Sequence, residues 1–143
     1  MNPDCDQDQP RGKYSQMPRQ FTALVAFDCA AKLKDLTRDC DHEVAVLRHT
    51  FDEREGNQPD QRQQIEQGYQ SEVFRTQKGC VSKYNRQYKD NAIIVRDFIL
   101  NQQLHIGGMG DGSNYAAVST LEDVKAIATN LEVLGRIVLE GHP

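Results

Sequence analysis

The sequence predicts an all-α fold: an elongated antiparallel hairpin of two long, coiled-coil-like helices, followed by a third, C-terminal helix. Three observations carry this expectation. Residues 19–55 contain neither Gly nor Pro. Apolar residues in that stretch recur with an eleven-residue period, and the same period returns in the next segment. Between the two stands Gly56-Asn57-Gln58-Pro59, which has the composition of a turn.

Residues 1–17 are rich in Asp, Gln, Pro and Gly and lack apolar periodicity, so they read as a disordered tail. Residues 18–143 read as one helical domain. Its first helix spans about residues 19–55, with Pro18 suited to a helix start. The stripe is Phe21, Val25, Cys29, Leu33, Leu36, Cys40, Val44, Leu47 and Phe51, with successive steps of four or three residues. Eleven residues make almost three full turns, so this stripe runs nearly straight along a rod. Such a helix is roughly 55 Å long at 1.5 Å per residue. A break is conceivable at Thr37–Asp41, where Asp39 suits a second N-cap.

The second helix is expected over about residues 59–104. Pro59 and Asp60 suit its first turn. Its stripe runs Ile65, Tyr69, Val73, Thr76, Cys80 and Tyr84, and continues through Tyr88, Ala92, Val95 and Ile99. Gly68 and Gly79 each weaken it by about 1 kcal/mol relative to Ala. Joined by a short turn, the two stripes face each other in an antiparallel hairpin. Residues 105–118 read as a Gly-rich linker. Ser119-Thr120-Leu121-Glu122 then matches a capping box opening a third helix, expected to end near Glu140. That helix carries Leu121, Val124, Ile127, Leu131, Leu134 and Val138, and is the most hydrophobic of the three.

Composition narrows the function classes. The chain has 143 residues, 38 % apolar and 27 % charged, with a net charge of −4. Mean hydropathy is −0.70 and the pI is about 5.5. That balance suits stripes rather than a thick core, and gives no general affinity for polyanions. No run is apolar enough for a membrane span, and the N-terminus lacks the apolar core of a signal peptide. The expected location is therefore intracellular, cytoplasmic or nuclear. Cys5, Cys29, Cys40 and Cys80 form no C-x-x-C pair and read as reduced, small apolar side chains.

Two segments and the scattered histidines invite chemistry. His42 and His49, among Asp39, Asp41, Glu43, Asp52 and Glu53, resemble metal ligands. Their face lies about 200° from the stripe at 100° per residue, so they should point outward. Gly107 to Ser113 has no Lys-Ser/Thr pair for a phosphate loop and no G-x-G-x-x-G. His42, His49, His105 and His142 have no partner spacing that suggests catalysis. No cofactor, metal or catalytic residue is therefore assigned.

The expectation is a non-enzymatic structural or interaction protein that assembles with itself or another protein through apolar helix faces. Leu121, Ile127, Leu131, Leu134 and Val138 form the favoured partner seam, with Leu36, Val44, Leu47 and Phe51 beside it. The alternative is a nucleic-acid-associated factor. Arg75, Lys78, Lys83, Arg86 and Lys89 form a basic stretch with no acid between its ends, interleaved with Tyr84 and Tyr88.

Overall fold

A computed structural model describes Cys5, residues 19–101 and residues 114–140. The described elements are α1 (Arg19–Asn57), a 3-10 turn (Pro59–Gln61), α2 (Arg62–Gln87), α3 (Lys89–Asn101) and α4 (Leu121–Glu140). The expected hairpin plus third helix is corrected to a bundle of four α-helices. The correction arises at Tyr88, where φ is −124° and ψ −24°, outside the helical region. The i→i−4 bonds survive on both sides of this residue, Tyr88 to Tyr84 at 3.0 Å and Ala92 to Tyr88 at 2.9 Å. The helical ladder is interrupted at Tyr88, and α3 becomes a separate wall of the bundle.

Helix α1 runs unbroken for 39 residues, through Thr37–Asp41. It has no Gly or Pro before Gly56 to interrupt it, and Arg54 in its last turn complements the helix dipole. Its first half lies in the core. Val25, Cys29, Leu33 and Leu36 are buried together with Ala92, Val95 and Ile99 of α3 and Val124, Ile127, Leu131, Leu134 and Val138 of α4. Each Val, Leu or Ile fully removed from water contributes roughly 1.5–3 kcal/mol. Helices α1 and α4 are antiparallel, as three contacts register: Phe27 against Gly135, Lys34 paired with Glu132, and Asp41 with Lys125 at 2.9 Å. A Cβ at Gly135 would come within 2.8 Å of the Phe27 ring, so Gly here permits the close approach.

The start of α4 carries a reciprocal cap, one residue later than the expected Ser119–Glu122 pair. The Thr120 hydroxyl accepts the Asp123 N–H at 3.2 Å, and the Asp123 carboxylate accepts the Thr120 and Ser119 N–H groups, each at 3.1 Å. Those donors, Ser119 first, hold the Asp123 carboxyl below its ordinary range.

Two expectations about connecting segments change. Residues 114–118, placed in the linker, belong in part to the core, because Tyr115 and Val118 are buried. The Tyr115 hydroxyl donates to Asn130 of α4. Its carbonyl accepts the Tyr84 hydroxyl at 2.8 Å, and the Arg96 guanidinium lies 4.5 Å from its ring centroid. Burial pushes both tyrosine hydroxyls up. The rest of the linker (105–113) and the expected helix end (102–104) lie outside the described residues. So does the expected disordered tail, apart from Cys5.

The cysteines overturn the expectation of reduced thiols. Cys5 pairs with Cys29, and Cys40 with Cys80. The first pair ties Cys5 onto α1. It is reinforced by the Cys5 N–H donating to Asp28 at 2.7 Å, and by Asn91 Nδ2 donating to the Cys5 carbonyl at 3.0 Å. The second pair joins α1 to α2 where the two leave the bundle. Beyond it, Phe51 is the only buried residue of 41–80. The distal halves of α1 and α2 therefore lean mainly on each other, as a two-helix arm projecting from the bundle.

Candidate interaction face on the two-helix arm

The arm is held by one polar-aromatic clasp. Arg48 Nη1 and Nη2 each donate to a Glu66 oxygen at 3.1 Å, and its Nε donates to Asp52 at 2.8 Å. The guanidinium lies 3.9 Å from the Tyr69 ring centroid. Tyr69 meets Phe51 edge-on, with centroids 5.8 Å apart. A fork of planar donors bound to a carboxylate and laid on an aromatic ring is a task for Arg rather than Lys. Glu55, only 14 % exposed, completes the clasp, with Arg48 at 3.6 Å and Arg62 at 3.8 Å. The Arg48 hydrogen bonds bring the Glu66 carboxyl down to about 2, while the hydrogen bond with Glu66 and partial burial push Glu55 up. Neither carboxylate borders the clefts described next.

The opposite flank of α2 differs in character. Its inward stripe is Val73, Thr76 and Cys80, all partly buried. Phe74 lies about 100° further round the helix and stands 68 % exposed. Lys78 and Val81, four and seven residues on, follow it on the same flank. Two clefts meet at Phe74. One, of about 250 Å³, is closed on its far side by Ser119, Thr120 and Leu121 at the start of α4. The other, of about 550 Å³, continues toward Gln70, Ser71 and Arg75. The Lys78 ammonium sits 6.0 Å from the Phe74 ring centroid, and Arg75 pairs with Glu72 at 3.2 Å. A third cleft, of about 400 Å³, lies over the Cys40–Cys80 bridge with Asp39, Glu43, Arg75 and Lys83 on its rim.

The residues singled out from the sequence fall as follows. Leu121, Ile127, Leu131, Leu134 and Val138 are buried within the chain's own bundle, as is Leu36, and Phe51 is buried on the arm. Val44 and Leu47 are half-buried on the arm. Of the basic stretch, Arg75, Lys78, Lys83 and Arg86 are exposed, and Lys89 is half-buried beyond the bend at Tyr88. Measured around α2 from Phe74, Lys78 stands at about 40°, Arg75 at 100°, Arg86 at 120° and Lys83 at 180°. The four on α2 therefore spread over an arc of about 140°, a broad flank rather than a single ridge. His42 and His49 are exposed, and His49 lies 3.2 Å from Glu53 one turn on. Among the described residues, no group of His, Cys, Asp or Glu is placed to hold a metal ion. Nor is any described helix long and apolar enough to cross a membrane.

Sequence reasoning passed over Phe74 because it lies off the eleven-residue stripe. The available signal was a second, narrower apolar row, Phe74 and Val81, seven residues apart on a helix whose core stripe was already complete. Compared with family models, curated proteins and solved structures, the chain has no match.

Proposed function

We propose that this chain is a non-enzymatic structural or interaction protein that engages a protein partner through the α2 face centred on Phe74. The observation that carries this reading is a phenylalanine two-thirds exposed in the middle of a helix, with a cleft on either side. Leaving such a side chain in water forgoes roughly 1.5–3 kcal/mol, which burial by a partner recovers. Aromatic anchors seated between pockets are where binding energy concentrates in protein interfaces. The bundle supplies a rigid base, and the Cys40–Cys80 bridge fixes the arm's exit from it.

The test is a photo-crosslinking residue placed at position 74 in the cell that makes the protein, with one at Glu53 as control. A discrete adduct at position 74, competed by wild-type chain but not by Phe74→Ala, is the expected result. The same adducts at both positions, or none at 74, would refute the reading. The nucleic-acid alternative predicts a mobility shift of DNA or RNA at low salt, lost on charge reversal at Lys78, Lys83 and Lys89. The paired cysteines suit an oxidising environment. Thiol labelling of the native protein distinguishes that setting from the intracellular one expected from the sequence.

A further inference from the structure

We infer that the partner docked on the Phe74 face is an acidic protein segment carrying an apolar anchor; this rests on the preceding proposal and names the occupant of its site. Charge complementarity is the argument. From Val73 to Lys89 the chain has five Lys/Arg and no Asp/Glu. At the face itself, Arg75 and Lys78 stand on the rim of the cleft beside Phe74. Acids near this rim are already engaged. Glu72 and Arg75 pair with each other, so Lys78 is the cation that this couple leaves uncompensated on the rim. Across the cleft, Asp123 is occupied by the Ser119 and Thr120 N–H groups, and Glu122 pairs with Lys125 at 3.5 Å. Lys78 has no carboxylate within ion-pair distance among the described residues. Its ammonium lies over Phe74, so a carboxylate arriving beside an apolar anchor meets cation and ring together.

The same charges disfavour a second copy. Placing this face against itself across a two-fold axis brings Arg75 and Lys78 toward their own equivalents, and like charges across an interface suppress association. A lipid surface is the poorer fit as well. Clefts on both sides of Phe74 take side chains, whereas an interfacial membrane contact calls for a continuous apolar face.

The test selects a random dodecapeptide library on the oxidised full-length chain and counts the clones that Phe74→Ala fails to retain. Both Phe74 and Lys78 are exposed, and thermal melts confirm that each variant stays folded. The expected clones carry an aromatic residue or Leu beside Asp or Glu. Lys78→Glu weakens them by about tenfold, and replacing the peptide's acid by Lys restores binding to that variant. Phe74-dependent clones that are neutral or basic would overturn this inference while leaving the face itself intact. No Phe74-dependent clone would overturn both. A Phe74-dependent dimer in light scattering, or Phe74-dependent sedimentation with phosphatidylserine vesicles, would replace the acidic segment by a second copy or a membrane.

Discussion

Tyr115 is the residue through which a segment read as linker becomes core, and its removal has a cost that follows from its contacts. The side chain is fully buried, its hydroxyl donates to Asn130, and its backbone carbonyl receives the Tyr84 hydroxyl. Tyr115→Phe keeps the ring under Arg96 and deletes only the donor to Asn130. A lost buried hydrogen bond of this kind costs about 1–3 kcal/mol. Tyr115→Ala also empties the volume of an aromatic ring, and large-to-small changes at such sites cost about 3–5 kcal/mol. At about 2.1 cal/mol/K per residue, 143 residues lose roughly 3 °C of Tm for each kcal/mol. The phenylalanine variant should therefore melt about 3–9 °C below wild type, and the alanine variant about 9–15 °C below. Urea unfolding followed by circular dichroism gives the free energies, and a scan gives Tm. If Tyr115→Ala costs less than about 1 kcal/mol, far under the usual range for a buried aromatic, residues 114–118 do not anchor the bundle and the account of α4 docking is wrong.

Three further outcomes follow from other contacts. Removing the Cys40–Cys80 bridge with a pair of alanines opens a loop of 40 residues, worth about 4 kcal/mol by loop-closure entropy; hydrogen exchange should rise most in residues 41–80, and uniform acceleration across the chain would contradict the arm's partial independence. Gly135→Ala should destabilise by about 1–3 kcal/mol as its Cβ meets the Phe27 ring, while Gly79→Ala, with open space around it, should stabilise α2 by up to about 1 kcal/mol; urea titrations that reverse this order would refute the α1–α4 packing. Glu66, held down to about 2 by Arg48, contributes stability that is complete above its ordinary range and lost as pH falls toward about 2. Glu55, pushed up beside Glu66, works in the opposite sense and favours the arm as it takes up its proton; carboxyl chemical shifts across a pH titration should show Glu55 titrating above Glu66, and the reverse order would contradict the clasp.

Much of the helical content was legible in the sequence because burial along a rod leaves a periodic trace. The stripe from Val25 to Cys40 is buried, and its continuation through Val44, Leu47 and Phe51 faces α2 at least in part. The same stripe concealed the bend at Tyr88. Spacing of four residues continues through Tyr84, Tyr88 and Ala92, and no Gly, Pro or phase shift marks the corner. Small buried residues of α1 were equally silent. Thr22, Ala23, Ala26 and Ala30 are buried because α1 is covered on a broader face than one partner helix needs. Alanine off the stripe carries no sign of which neighbour it will meet.

The disulfides were hidden for a different reason. Spacings of 24 and 40 residues mean nothing until the topology is known. One clue was present: a hairpin turning near residue 60 sets position 40 opposite position 80, with both cysteines on the facing stripes. Cys5 offered no such clue, since it lies outside any periodic stripe. Phe74 was overlooked because a search for the core discards what lies beside it, and an interaction face is made of such residues.

Peptide mapping of the unreduced protein by mass spectrometry tests the architecture most directly, since one bridge registers α1 against α2 and fixes the arm that presents Phe74. Linked fragments joining Cys40 to Cys80 and Cys5 to Cys29 are the expected result. Any other pairing, or four alkylatable thiols in protein isolated without reductant, would contradict the stapled arm and the face built on it.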